Sequence, residues 1–378
     1  MTRSFINLIF RTSLVLLLVT SFSIAPVLDA IAATPAKKLF GAKQLPVVMK
    51  PEAIGFYSKG CLAGGIAMPH DGDTWAVMRP HRNRRWGHPN LVRLLERLSI
   101  DAKKNYGWNG LMVGDLSQPR GGPMLTGHAS HQVGLDADIW LRPMPARRWT
   151  RKERNTLSAI SVLKKGTVRV NNGIWTKAHE GLIKTAAQYR EVQRIFVHPG
   201  IKKKLCNTVK GDRRWLNKVR PYWGHHYHMH VRLRCQPGSA NCKPQASTGS
   251  GTGCDKSLEW WFKVAFAPKK KTTKKKTAIK KKKKKKKKVR RYKIMADLPA
   301  QCRTVLAGPN PVSIESVTLK PKGSNQTLVA SSKAVVSTGA GAIAASAAVS
   351  PAITAVNSVV AVKQNEKDFT IPTPKPSR

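Results

Sequence analysis

Apolar and polar positions change period along this chain, and the period names the elements. From Asn90 to Leu98 the apolar residues Leu91, Val92, Leu94, Leu95 and Leu98 recur at helical spacing, which predicts a helix with one buried face. The stretch from Gly181 to Gln188 predicts a second. Arg194 to Val197 is a short apolar run before His198-Pro199-Gly200, a strand followed by a turn. Two further segments alternate strictly. In one, Leu135, Ala137 and Ile139 interleave with Asp136, Asp138 and Trp140; in the other, Tyr227, Met229, Val231 and Leu233 interleave with His226, His228, His230 and Arg232. A period of two puts the two sets on opposite faces of a strand. Helices and strands interleave, so the fold class is α+β, with a central antiparallel sheet flanked by helices and loops.

The pattern also divides the chain. Arg3 and Arg11, an apolar run from Leu14 to about Leu28 and the small residues Ala30-Ile31-Ala32 form a secretory signal over residues 1–32. Ser21, Ser23, Pro26 and Asp29 interrupt the run, which falls short of the ~20 apolar residues of a membrane span. An extended lead-in follows over 33–54, with Pro35, Pro46 and Pro51. The globular domain occupies 55–267 and holds all ten Trp, all eleven His and five of the six Cys. A Lys-rich tract over 268–291 lacks apolar surface and repels itself, so it reads as disordered. From 308 to 378 the Ala, Ser, Val and Thr content marks a low-complexity tail, too weakly apolar near 334–349 for a second anchor.

Charge narrows the partners. The chain carries 68 Lys+Arg against 19 Asp+Glu, a net +49. Such a surface suits an anionic polymer, and the Lys tract could concentrate the protein on anionic components of a cell envelope. Export and the lack of any base-reading module argue against nucleic acid. The even cysteine number fits an oxidising compartment, in a cell with two membranes the periplasm. Absence of C-x-x-C disfavours a structural zinc knuckle. Three disulfides among six cysteines leave 15 pairings open.

Histidine carries the chemistry. Six of the eleven His fall in Gly127–Trp140 and Trp223–Cys235. His228 and His230 project from one face of a strand, about 7 Å apart, and Asp138 belongs to the open face beside them. His131, Asp138 and His230 supply two imidazoles and a carboxylate, a donor set for catalytic zinc that leaves a position for water. There is no H-E-x-x-H, no G-x-S-x-G elbow and no phosphate-binding glycine loop, so zincin, serine hydrolase and nucleotide chemistry are set aside.

At these residues the chain resembles the penicillin-insensitive murein endopeptidases, grouped with the zinc peptidases of the lysostaphin and D-alanyl-D-alanine metallopeptidase type. The likeness lies in Gly127-His-Ala-Ser-His-Gln, Gly134-Leu-Asp-Ala-Asp, Arg194-Ile-Phe-Val, Lys218-Val-Arg-Pro, His228-Met-His-Val-Arg-Leu-Arg-Cys235 and Arg84-Arg-Trp-Gly-His-Pro89. It covers about 50 to 307. The resemblance implies cleavage of the D-alanyl–diaminopimelyl cross-links of peptidoglycan, with zinc on His131, Asp138 and His230 and with His128 near or on the metal. It implies that His225 and His228 are further active-site histidines. It also implies disulfides Cys61–Cys302, Cys206–Cys254 and Cys235–Cys242, which would make 292–307 a return segment tied by Cys302. No Glu is placed to act as base, so His228 is expected to take the proton of water or steady the oxyanion, with His225 assisting. A D,D-carboxypeptidase of the same superfamily and a metal-free murein-binding protein are the alternatives. Arg84, Arg85 and Arg232 are candidates for holding substrate carboxylates. Trp223, Tyr227, Trp260 and Trp261 are candidates for a groove.

Overall fold

The computed structural model describes residues 34–266 and 292–321. The signal at 1–32, the Lys-rich tract and the tail beyond Pro321 lie outside the described residues.

A seven-stranded sheet organises the domain. Its central pair is β8 (Asp136–Pro143) and β11 (His228–Leu233), antiparallel, with His230 opposite Asp138 and Val231 opposite Ala137. On one side β11 pairs antiparallel with β9 (Val192–Val197), which pairs parallel with β10 (Val219–Pro221). On the other, β8 pairs antiparallel with β7 (Leu111–Val113), followed by parallel β5 (Trp75–Val77) and antiparallel β4 (Asp71–Gly72). The sheet is therefore mixed, antiparallel around the site and parallel at two outer joints. A hairpin of β1 (Glu52–Phe56) and β2 (Lys59–Ala63) and a short pair of β3 (Ile66–Ala67) with β6 (Trp86–Gly87) stand beside it.

The register explains the alternation in sequence. Met229, Val231 and Leu233 share a face with Ala137 and Ile139, and all are fully buried in the main core. Against that core pack α2 (Pro89–Tyr106), through Leu91, Val92, Leu94, Leu95 and Leu98, and α4 (Lys177–Gln188), through Leu182, Ile183, Ala186 and Ala187. Each of these aliphatic side chains larger than Ala contributes roughly 2 kcal/mol by leaving water. The opposite face of the same two strands carries His228, His230, Arg232, Asp136 and Asp138.

Three expectations are corrected. His198-Pro199-Gly200 is not a turn but the start of α5 (Pro199–Thr208): His198 Nδ1 caps Gly200 N–H and Pro199 fills the first helical position. The lead-in is not extended throughout, because it contains α1 (Ala36–Gly41). Ala36 and Phe40 bury against Met295, Leu298 and Val305, partners remote in sequence. Residues 308–321, read as tail, pack on the domain: Leu319 is buried and its N–H donates to Ala67 O. Arg120 fixes the start of this segment, donating to the carbonyls of Val305, Leu306 and Gly308 at the end of α7 (Gln301–Ala307) and to Asn310 Oδ1. The remaining helices are α3 (Arg151–Thr156) and α6 (Lys256–Trp260). Disulfides join Cys61 to Cys302, Cys206 to Cys254 and Cys235 to Cys242.

Candidate metal centre and active site

Strand pairing delivers two of the donors. His230 on β11 and Asp138 on β8 are direct cross-strand partners, and His230 Nδ1 lies 3.2 Å from Asp138 Oδ1. The third, His131, comes from the loop that precedes β8. Its backbone has φ 65°, a left-handed conformation that costs a non-glycine residue about 1 kcal/mol or more. Gly134 completes the turn into β8 at φ 69°, where a Cβ would lie 2.7 Å from Leu62 and 2.9 Å from the His88 amide. The turn delivers His131 Nε2 to 3.4 Å from Asp138 Oδ1 and 3.2 Å from His230 Nδ1.

Those three separations test the donor set. Metal bonds of about 2.0–2.1 Å in a tetrahedron place ligand atoms about 3.3–3.4 Å apart, and the triangle here has sides of 3.2–3.4 Å. The far nitrogen of each imidazole is already engaged. His131 Nδ1–H donates to Leu116 O at 2.9 Å, and His230 Nε2–H donates to Asp136 Oδ1 at 2.8 Å. The nitrogens facing the centre then present lone pairs, the tautomers a metal needs. Asp138 Oδ1 is buried and has no hydrogen-bond partner among the described residues. An orphaned carboxylate oxygen beside two imidazole lone pairs is costly unless a cation sits among them. The residues fit a divalent metal.

Two further histidines border the triangle. His228 Nε2 is 3.5 Å from Asp138 Oδ1, and His225 stacks obliquely on it with ring centres 4.8 Å apart. His225 Nδ1–H donates to Trp223 O at 2.6 Å. Burial, then the neighbouring His230 and His228, push His225 down to about 3, and burial lowers His228, so both imidazoles are neutral. His128 stands on the other side, Nδ1 3.6 Å from Asp138 Oδ2; its reach, with His131 and Asp138, forms a second donor group within 4.8 Å. Burial alone would raise Asp138, but the ring of imidazoles around it, His228 and His131 foremost, holds its carboxyl well below the usual carboxylate range.

Two carboxylates escaped the sequence reading. Asp136 is fully buried; besides His230 it accepts from Arg232 Nε at 2.7 Å and from the His131 amide at 3.1 Å. Its signal was its position two residues before Asp138 on the same face. Asp115 carried none: it lies in the loop after β7 and accepts from Arg82 at 3.1 Å, Arg84 at 2.9 Å and His128 Nε2 at 3.0 Å. Of the arginine candidates, Arg85 is buried on Met68 O and Arg232 is buried against Asp136 and the rings of Tyr57 and Phe196, so neither faces a substrate. Arg84 is committed to Asp115 and Thr126. Tyr227 lines a cleft of about 330 Å³ with Asp138, His128 and His228, whereas Trp223, Trp260 and Trp261 cluster with one another outside its lining.

A buried two-histidine, one-carboxylate centre beside a cleft could hold a metal ion within reach of a bound substrate. Residues 53–307 match the family of penicillin-insensitive murein endopeptidases, and the chain belongs to that family. It is 42% identical over 246 residues to a penicillin-insensitive murein endopeptidase of Yersinia enterocolitica, covering 65% of this chain and 86% of that one. It is 41% identical over 261 residues to the protein of that name from Haemophilus influenzae, covering 69% of this chain and 84% of the relative. A Klebsiella pneumoniae protein of the same name is 41% identical over 234 residues, 62% of this chain and 83% of its own.

Proposed function

We propose that this protein is a zinc-dependent murein endopeptidase that hydrolyses D-alanyl–diaminopimelyl cross-links of peptidoglycan in the periplasm. Family membership supports the substrate class, and the triangle of His131, Asp138 and His230 with its unpaired Asp138 oxygen carries the metal assignment. Three disulfides support export, and among the described residues no helix is long and apolar enough to cross a membrane. His128 stands close enough to join the ligands or to flank them.

When bound, zinc supplies a Lewis acid that polarises the scissile carbonyl and acidifies water. The chain's own residues supply the rest. His228, neutral and on the cleft wall, takes the proton of the attacking water. His225, packed on it, shares the charge that develops and relays to the leaving amine the proton that His228 has taken from water. Asp136 and Leu116 O keep His230 and His131 in the metal-binding tautomer. No acylated serine is involved, which accounts for indifference to penicillin.

Digestion of purified sacculi with mass analysis of the released muropeptides tests this reading. Cross-linked dimers should give way to monomers, a chelator should stop the reaction and β-lactams should not. Loss of terminal D-alanine alone would mark a carboxypeptidase and refute the cross-link assignment.

A further inference from the structure

The cleft beside the triangle has a cationic wall that the chemistry above does not use. The wall is the 3₁₀ turn Pro80–Arg82, bracketed by two non-glycine residues with left-handed backbones, Arg79 at φ 54° and Asn83 at φ 50°. Neighbours hold the turn in this costly shape. Arg79 N–H donates to Arg154 O at 3.1 Å, His81 N–H donates to Asn155 Oδ1 at 3.1 Å, and Asn83 Nδ2 donates to Gln44 O at 3.0 Å. Strain kept up by surrounding bonds at the lip of a cleft points to a function for the side chains it aims.

The charges there do not cancel. Arg82 and Arg84 share the single carboxylate of Asp115, and Asp138 belongs to the metal donors. Among the described residues Arg79 has no carboxylate partner, and its guanidinium makes one hydrogen bond, a long one of 3.4 Å to Leu157 O, although it carries five N–H donors. It lines the same cleft as His228, Asp138 and Tyr227. A planar fork with spare donors in a partly enclosed site is matched to a carboxylate.

We propose that Arg79, with Arg82 adding charge behind it, binds a free carboxylate of the cross-linked stem peptide and thereby sets substrate preference. The inference rests on the murein reading. A diaminopimelyl cross-link offers two such groups: the carboxylate on the carbon that bears the scissile nitrogen, and the terminal carboxylate of the same stem. Arg79 acts in substrate binding, not in the proton transfers.

The test pairs Arg79→Gln with substrates amidated at one carboxylate or the other. Binding is measured on full-length, oxidised protein carrying His228→Ala to suppress turnover, and kcat/KM is measured without that change. Arg79→Gln should keep wild-type zinc content and melting temperature and weaken binding of the unmodified muropeptide roughly 10–100-fold. Amidation of the recognised carboxylate should weaken wild-type binding by a similar factor, with no further loss in the variant; which amide does this identifies the source. If Arg79→Gln binds as wild type does, or loses the same factor on both amidated substrates as on the acid, the assignment is wrong. Should the Gln variant fail to fold, Arg79→Lys supports the same comparison. Failure of the murein reading looks different, since cross-linked dimers would then survive the wild-type enzyme whatever Arg79 does to binding.

Discussion

Replacing Asp136 by Asn changes one atom's identity in a fully buried side chain and should damage both stability and metal binding. The carboxylate accepts from His230 Nε2 at 2.8 Å, Arg232 Nε at 2.7 Å and the His131 amide at 3.1 Å. An amide keeps one acceptor oxygen but turns its NH₂ toward either an imidazole, a guanidinium or a backbone N–H, each a donor. One hydrogen bond is lost outright, at about 1–3 kcal/mol. Arg232 is left a buried cation without its counter-ion, a defect that costs about 3–5 kcal/mol on its own. These terms overlap, so a loss of about 3–5 kcal/mol is expected, a large share of an ordinary domain's stability. His230 also loses the partner that fixes its tautomer, which should weaken zinc affinity about 10–100-fold. Urea denaturation of the metal-free protein reads the first effect and chelator competition the second. Adding Arg232→Met separates them, because removing the stranded cation should recover stability but not zinc affinity. A single Asn variant within about 0.5 kcal/mol of wild type and with unchanged zinc affinity would refute the assigned role of Asp136.

The other predictions are shorter. His228→Ala should retain zinc by elemental analysis and lose turnover, whereas Asp138→Asn should lose both together. Lys202 is buried with its Nζ donating to Leu216 O at 2.7 Å and Thr252 O at 2.6 Å, and burial, with Arg220 adding repulsion, pushes it down to about 7 from an unfolded value near ~10.4. Between those values the unfolded chain binds the extra proton, so stability should rise with pH across that window and not below it; Lys202→Met should flatten the rise in denaturation midpoints. Arg120→Ala frees the carbonyls of Val305, Leu306 and Gly308 and should cost about 2–4 kcal/mol, with proteolysis beginning within 308–321. Removing the Cys61–Cys302 bond, which spans 241 residues of sequence, should cost about 2–5 kcal/mol in thermal or denaturant unfolding.

What the sequence disclosed depended on whether partners were local. The helices α2 and α4 were legible because each buries a face defined by its own period. β8 and β11 were legible because their alternation encodes two faces, and Asp138 and His230, two of the three proposed metal donors, sit on the polar one. What failed depended on distant residues. Nothing near Phe40 indicates that it buries against Met295 and Leu298, and Arg120 acquires its meaning from carbonyls about 185 positions away. The start of α5 was misjudged because His-Pro-Gly serves equally as a turn or as a cap with proline in the first helical position. Asp115 was invisible because its partners come from two other parts of the chain, Arg82 and Arg84 from the segment before β6 and His128 from the loop before β8.

The same division explains how the site is built. Asp138 and His230 need no special backbone, because antiparallel pairing of two buried central strands sets their spacing to within a side-chain rotamer. His131 and Arg79 must arrive from loops, and both carry a left-handed backbone that an ordinary residue avoids. Each is held by bonds outside the cleft: the His131 amide by Asp136, and the Arg79 amide by Arg154 O. Of the three non-glycine left-handed residues among those described, Arg79, Asn83 and His131, two carry a side chain to the cleft or the triangle without a strand beneath it. A chain selected for stability alone would relax these positions with glycine, and that would surrender one imidazole and one guanidinium. Keeping both at the rim of one cleft is what a hydrolase requires if it must grip an ion and an anionic peptide side by side.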